Sequence, residues 1–491
     1  MRILQSLLVI GLTLSLGFTD AIAGGFTLPG TGSRAMSRGA AFTALADDLT
    51  AIAINPGGLS RLSGTHILYN HNFHYTPSAF TRYTPTAMED SFPISDRPGD
   101  PGARVENETP FFALGAMLGV ATDFGLDDWT FALGIYGPNA VGNQQYATDG
   151  GQRYMLTSLE MLLVYYTLGV SWGHKDTFGI GATVQYAHLP VTKFGQVVDG
   201  TLGGTPSPYY STTDLEAILD LDDPGTMTAQ IGAWWRIIPE LEFGISARVV
   251  PVMLNPTGKV QLNKLDGQNF AGNPDSTVTL QGGDASLDIT LPIILRTGLR
   301  YRHLSGEREV FDLELDFVYE AWSSIDAYDI ELSGSVDIDV DGPNGTVPPI
   351  NTALTTLTLE KRWRDTYSVR FGGTWNAVED LFSVSAGALW ESGASHNRYS
   401  HLDFPSFDRL GFGAGFRLQG SGVDFSLAYL HILQEDREVS EQIGKVFQQR
   451  PLSPCPENCG PITGVPANAG TFETAFHQLQ LSLSFHIDAW L

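Results

Sequence analysis

Arg296, Arg300 and Arg302 stand at even spacing, and Asp312, Glu314 and Asp316 repeat that spacing after a short polar interval. Even spacing puts side chains on one face of a strand, so two neighbouring strands here would set arginines opposite carboxylates. Enclosed charges need partners, and such a ladder reads first as structural bracing, which can extend to a neighbouring segment. Asp337-x-Asp339-x-Asp341-Gly342 begins like a calcium loop, but its twelfth position is Pro348 rather than Glu, so an acidic external loop is the better reading. His66 and His74 would share a strand face and His71 would point the other way, which leaves no ligand set for a metal. Gly411-x-Gly413-x-Gly415 reads as strand, not as a phosphate loop. No organised nucleophile is evident, so no enzyme and no cofactor are expected. Cys455 and Cys459, the only cysteines, would close a small loop by a disulfide in an oxidising compartment.

The elements that must position these groups announce themselves from the start of the chain. Met1-Arg2, an apolar stretch from Ile3 to Phe18 and Ala21-Ile22-Ala23 describe a secretory signal peptide over 1–23. Beyond it no segment supplies the ~20 apolar residues of a membrane helix. Aromatic residues reach 11% while charged residues are held to 17%, with 54 glycines; that balance suits a wall facing lipid. The net charge of −26 argues against nucleic acid, which requires clustered Lys and Arg.

Period-two alternation then recurs through the chain: Phe178, Ile180, Ala182, Val184, Tyr186; Met227 to Ile237; Leu287 to Leu295; Phe311 to Tyr319; Leu479 to Ile487. Fourteen such segments are predicted, near 65–75, 110–121, 128–137, 155–173, 177–188, 226–237, 241–252, 286–302, 309–321, 356–375, 381–392, 409–418, 422–433 and 475–488. The intervals between them alternate short and long without exception. Short periplasmic turns and long external loops give that rhythm in an outer-membrane barrel, and closure removes the edges that lipid cannot satisfy. The expected fold is an all-β, 14-stranded antiparallel transmembrane barrel over 63–491. Gly24 to Leu62 does not alternate and is rich in small residues. It is a tail or, as its composition favours, a compact N-terminal hatch over 24–62.

Two local features bear on transport. The third strand runs into Gly134, Gly137, Pro138 and Asn139, where missing side chains and a missing donor either interrupt pairing or simply end the strand. Leu215, Ile218 and Leu219 would share one face of a short helix, lining an apolar groove or packing a small loop core.

Short anchors spread along the chain carry a resemblance: Gly24-Gly25-Phe26-Thr27-Leu28, Ala46-Asp47-Asp48, Asn55-Pro56, Tyr136-Gly137, Lys193-Phe194, Trp322-Ser323-Ser324, Trp363-Arg364-Asp365-Thr366, Gly387 to Ser392, and Pro405 with Asp408-Arg409. In that order they resemble the FadL family of outer-membrane transporters of long-chain fatty acids and hydrocarbons. The resemblance implies a hatch-plugged barrel, with Asn55, Pro56 and Gly57 in a tight hatch turn. It implies a substrate path past Val191, Gly134, Leu215, Ile218 and Leu219, and lateral exit at a kinked third strand. It places Lys193 where the family has a basic residue for the substrate carboxylate; the alternative is a solvated lysine at a loop base. The implied partners are a long-chain fatty acid or other hydrophobic small molecule, outer-membrane lipid and lipopolysaccharide, and the barrel-assembly machinery, with the chain as a monomer. An aromatic-hydrocarbon channel, a general porin and a barrel enzyme stand as the alternatives.

Overall fold

The computed structural model describes the chain except residues 1–24, 26, 84–101, 114, 139–141, 175, 202–212, 271, 342–347, 453–464 and 491. The expected signal peptide, the Cys455–Cys459 pairing and Asn139 lie outside the described residues.

Fourteen antiparallel strands close into a ring: β1 Thr65–Tyr75, β2 Met117–Thr122, β3 Trp129–Tyr136, β4 Ser158–His174, β5 Phe178–Asp199, β6 Asp214–Ile238, β7 Leu241–Arg248, β8 Ile294–Ser305, β9 Arg308–Glu320, β10 Thr366–Val378, β11 Phe382–Glu391, β12 Arg409–Gly420, β13 Val423–Gln434 and β14 Gly470–His486. Each pairs with the next, and β14 returns to β1 in a register running from His66 opposite His486 to Tyr75 opposite His477. Closure leaves every wall strand with two neighbours, as lipid demands.

Alternation sorts the wall into two faces. Leu118, Leu133, Leu168, Ile180, Ile231, Leu315, Phe371 and Phe412 point outward and are exposed, while Thr167, Thr183, Gln185, Gln230, Glu242 and Asp316 point inward and are buried. Trp129, Trp172, Trp235 and Trp375 stand outward beside the short turns. Tyr166 with Tyr186 and Tyr319 with Tyr367 stand outward toward the other end, with ring centroids 6.2 and 5.4 Å apart. These are the aromatic belts of a membrane barrel.

The long intervals contain strands of their own. Beyond bulges at Leu162–Val164 and Leu221–Thr226, β5 and β6 run on and remain paired. Thr257–Lys264, Thr277–Leu287, Ala327–Asp339 and Leu357–Glu360 carry the sheet further. This corrects the helix expected around Leu215. Asp214–Ile238 is one strand, so Leu215 and Leu219 share a buried face while Ile218 lies on the other. The helical spacing of three apolar residues was outweighed by two flanking strands that offered the backbone a ladder. Asp337 and Asp339 likewise lie in a strand, and Asn351 Nδ2 donates to Asp337 at 2.7 Å. Among the described residues no group of side chains could hold a metal.

Candidate transport path

Residues 27–62 fold inside the ring. Short helices Ser33–Ser37 and Ala51–Ile54 and a 3-10 turn Pro56–Arg61 pack against opposite arcs of the wall, the first on β12 and β13, the last on β4, β5 and β6. These pieces are too short to be stable alone; enclosure holds them. Asn55 is fully buried. Its side chain accepts from Gly57 N at 3.2 Å and donates to the Thr43 and Ala233 carbonyls at 2.8 and 3.0 Å. The Asn55-Pro56-Gly57 turn therefore sits inside the barrel.

Charge fastens the opposite side. Arg38, 1% exposed, reaches Asp312 at 2.8 Å, Glu314 at 3.1 Å and Thr374 at 2.7 Å. Asp316 accepts from the Phe42 and Thr43 amides at 2.9 Å each, and Glu314 from the Ala44 amide at 2.6 Å. Carboxylates of the wall thus satisfy hatch N–H groups that no helix uses. Arg300 holds Asp312 at 2.7 Å and Glu242 at 2.8 Å. The expected ladder is real at Arg300 and Arg302, which stand opposite Glu314 and Asp312 in the register. Arg296 departs from it, because it faces Val318. Gly387 and Gly413 make room: a Cβ on either would come within 2.1 and 2.3 Å of Arg38 and Met36 backbone atoms.

Between hatch and wall lies a small cavity of ≈ 90 Å³, lined among others by Leu28, Ile54, Tyr136, Pro138, Tyr165 and Ile294, with Arg248, Arg296 and Arg370 among the polar groups. It abuts an interruption in the wall. β3 is paired with β4 as far as Tyr136 opposite Tyr165. Contact with β4 resumes at Gly142, whose carbonyl accepts from Met161 N at 2.8 Å, and at Asn143 opposite Glu160, so the ladder is interrupted after Tyr136, at Gly137 and Pro138. Gly134 does not belong to that break. It is laddered to Gly119 and Thr167 on its two sides, and its missing side chain leaves room for Ile52 of the hatch. The break begins at Gly137, where Pro138 has no donor to offer.

Lys193 and Val191 lie on β5 but outside this cavity. Lys193 is 45% exposed and 3.7 Å from Glu160; the structure does not bring it to the lumen. Leu215 and Leu219 join Phe194, Val260 and Leu262 in a buried apolar cluster beneath the external sheet, packed rather than open. The external loops are also latched by charge: Lys361 Nζ lies 2.5 Å and His401 Nδ1 2.9 Å from Asp403. Burial would raise the Asp403 carboxyl, but the charges of His401 and Lys361 overcome it and hold the group well below the usual carboxylate range. Burial lowers His401 below the usual histidine value despite Asp403.

At the periplasmic end the hatch leaves a polar opening bordered by Arg34, Asp47, Arg61, Arg236, Glu309 and Arg417. Sequence reasoning missed Arg38, Arg248 and Arg370. Their only signal was charge at positions that alternation sends to the lumen, or, for Arg38, charge inside a run of small residues.

A closed 14-stranded barrel, lipid-facing without and plugged from its own N-terminus, is the architecture of an outer-membrane transport channel. The model of the family described as outer membrane protein transport protein (OMPP1/FadL/TodX) matches residues 14–462. The chain belongs to that family, resides in the outer membrane and serves the passage of hydrophobic substrates. It is similar to the crystal structure of a Pseudomonas aeruginosa FadL homologue at 15% identity, over 94% of this chain and 100% of that one, with a TM-score of 0.69. The Pseudomonas putida toluene transporter TodX gives 13% identity, 95% and 99% coverage and 0.63. The Ralstonia pickettii toluene transporter TbuX gives 12%, 94% and 99%, and 0.59. No curated protein matches the chain.

Proposed function

We propose that the barrel passively takes up long-chain fatty acids or similar hydrophobic molecules and releases them sideways through the break in the wall at Gly137 and Pro138. The observation that carries this reading is the lumen cavity, whose lining runs from Tyr136 at the end of the ladder to Pro138 in the break. A charged periplasmic opening supports the same route, because an apolar tail passing it would have to displace well-paired ions. An aromatic hydrocarbon would use the same path; two of the similar structures are described as toluene transporters. A general porin is disfavoured by the hatch, and no organised nucleophile in the sequence supports a barrel enzyme. In this reading the chain works as a monomer, placed by the barrel-assembly machinery among lipid and lipopolysaccharide.

Replacing Gly137-Pro138 by Val-Thr tests the exit. Val supplies a β-former and Thr a ladder donor. A Cβ at Gly137 also comes within 2.9 Å of the Leu163 carbonyl in the interrupted backbone, so the substitution disfavours the break itself. Ligand binding should persist while uptake into cells falls sharply. Normal uptake with the break closed would show that substrate leaves past the hatch.

A further inference from the structure

The lipid-facing wall carries an apolar groove of ≈ 610 Å³ between β4 and β8, within the size of a small-molecule site. Ile180, Ile231, Ile245 and Leu295 form its sides, and Ala182, Ala233 and Ala247 keep its floor low. The register explains the hollow. Ala182 pairs with Ile231 and Ile180 with Ala233, while Ile231 pairs on its other side with Ala247. Small and large side chains therefore alternate across the wall instead of covering it evenly. Trp129 and Trp172 frame one end, and Trp172 stands directly opposite Ile180. The groove thus starts at the tryptophans beside the short turns, at the periplasmic edge of the membrane. It reaches about 7 Å inward, roughly two residues along a strand. Its floor has a second side. Gly181 and Gly232 line the groove, and on the lumen face the same glycines carry the hatch turn. A Cβ on Gly181 would come within 2.3 Å of the Pro56 carbonyl oxygen, and one on Gly232 within 2.1 Å of Asn55 Oδ1. One layer of backbone separates the groove from Asn55-Pro56-Gly57, and an unfilled hollow would leave that layer without packing partners on its outer side.

We propose that the groove holds one acyl chain of a phospholipid from the periplasmic leaflet, and that this chain braces the backbone on which the hatch turn is seated. The groove is continuous with the lipid-facing wall and lies at membrane depth, so hydrocarbon is what fills it. Its tryptophan end puts the glycerol and phosphate of the lipid where an indole meets them, ring toward the chains and N–H toward the polar part. A lipid of the opposite leaflet, with its head group at the far end of the wall, would bring only a chain tip here. The site is separate from the lumen cavity, with which it shares no lining residue.

The test is native mass spectrometry of the full chain, purified in detergent supplemented with palmitoyl-oleoyl phosphatidylethanolamine. Wild type should retain a single phospholipid per barrel. Ala182→Leu with Ala233→Leu fills the groove and should weaken retention by about tenfold, the worth of roughly two buried methylenes. Ala247→Leu alone should lose part of it, and carries the test if the double variant lacks the heat-dependent gel shift of a folded barrel. Ala414→Leu adds the same bulk at an exposed position of β12 and should change nothing. In wild type the phospholipid should also slow amide exchange at Gly58, which donates to the Asn55 carbonyl at 2.9 Å. In the filled variant that exchange should be slow with or without lipid. Full retention in the filled variants, an equal loss in Ala414→Leu, or Gly58 exchange indifferent to lipid in wild type overturns the proposal. A dimer that the filled variants dissociate overturns it too, because a second copy would then be the occupant. Displacement of the phospholipid by oleate also overturns it, since the groove would then be a resting place for released substrate.

Discussion

Arg38→Met is the sharpest test of how the hatch is held. The methionine would keep much of the volume and lose donors to Asp312, Glu314, Thr374 and the Ala41 carbonyl, which lie at 2.7 to 3.1 Å. Breaking one side of a buried ion pair costs about 3–5 kcal/mol, because the partner stays buried and uncompensated. Asp312 would keep Arg300, and Glu314 would keep the Ala44 amide, so the lower end, about 3 kcal/mol, applies. At 1.4 kcal/mol per decade this raises the undocked hatch population by about a hundredfold. The wall ladders do not involve Arg38, so the barrel should assemble and resist heat as before. Two measurements report the change: amide exchange of Phe42 to Leu45, which should speed up about a hundredfold, and planar-bilayer conductance, which should show openings approaching those of a chain lacking 24–62. Adding Asp312→Asn and Glu314→Gln should soften the effect by removing the stranded charges. Unchanged exchange and conductance in Arg38→Met would mean that packing alone seats the hatch and that the ion pairs are incidental.

Gly387→Val should also unseat the hatch, since its Cβ would fall 2.1 Å from the Arg38 carbonyl carbon; conductance should rise, whereas a tight, silent channel would refute the close-approach argument. Acid should loosen the external latch. Asp403 is held below its unfolded value, so its contribution is present above about pH 4 and lost as pH falls further; His401, lowered by burial, begins to cost stability below about pH 6.5, where the unfolded chain binds the extra proton. Proteolysis of the 392–408 loop should therefore accelerate from pH 7 to pH 5, and again below pH 4. Equal protection at pH 7 and pH 5 would count against the His401 term.

Alternation was legible because each lipid-facing side chain answers to the solvent beside it, not to a distant partner. Leu313, Leu315 and Phe317 declare an outward face wherever the rest of the chain lies, and the rhythm of intervals then orders the strands in the membrane. Gly411-x-Gly413-x-Gly415 could be read as strand for the same local reason, but not why it is glycine. At Gly413 and Gly415 that answer is Met36 and Ser37, which meet β12 only when the N-terminus enters a closed ring. Leu215, Ile218 and Leu219 looked helical because spacing alone cannot see β5 and Thr257–Lys264 on either side. Lys193 was suggested by the resemblance, with a solvated lysine as the alternative, and only the structure places it half exposed beside Glu160. By itself the sequence determined the barrel, its strand number and the presence of a compact segment ahead of it. Ring closure decided the rest, because Arg38 meets Asp312, and Arg248 meets Arg296 and Arg370, only when strands far apart in the chain converge on one enclosed, low-dielectric lumen.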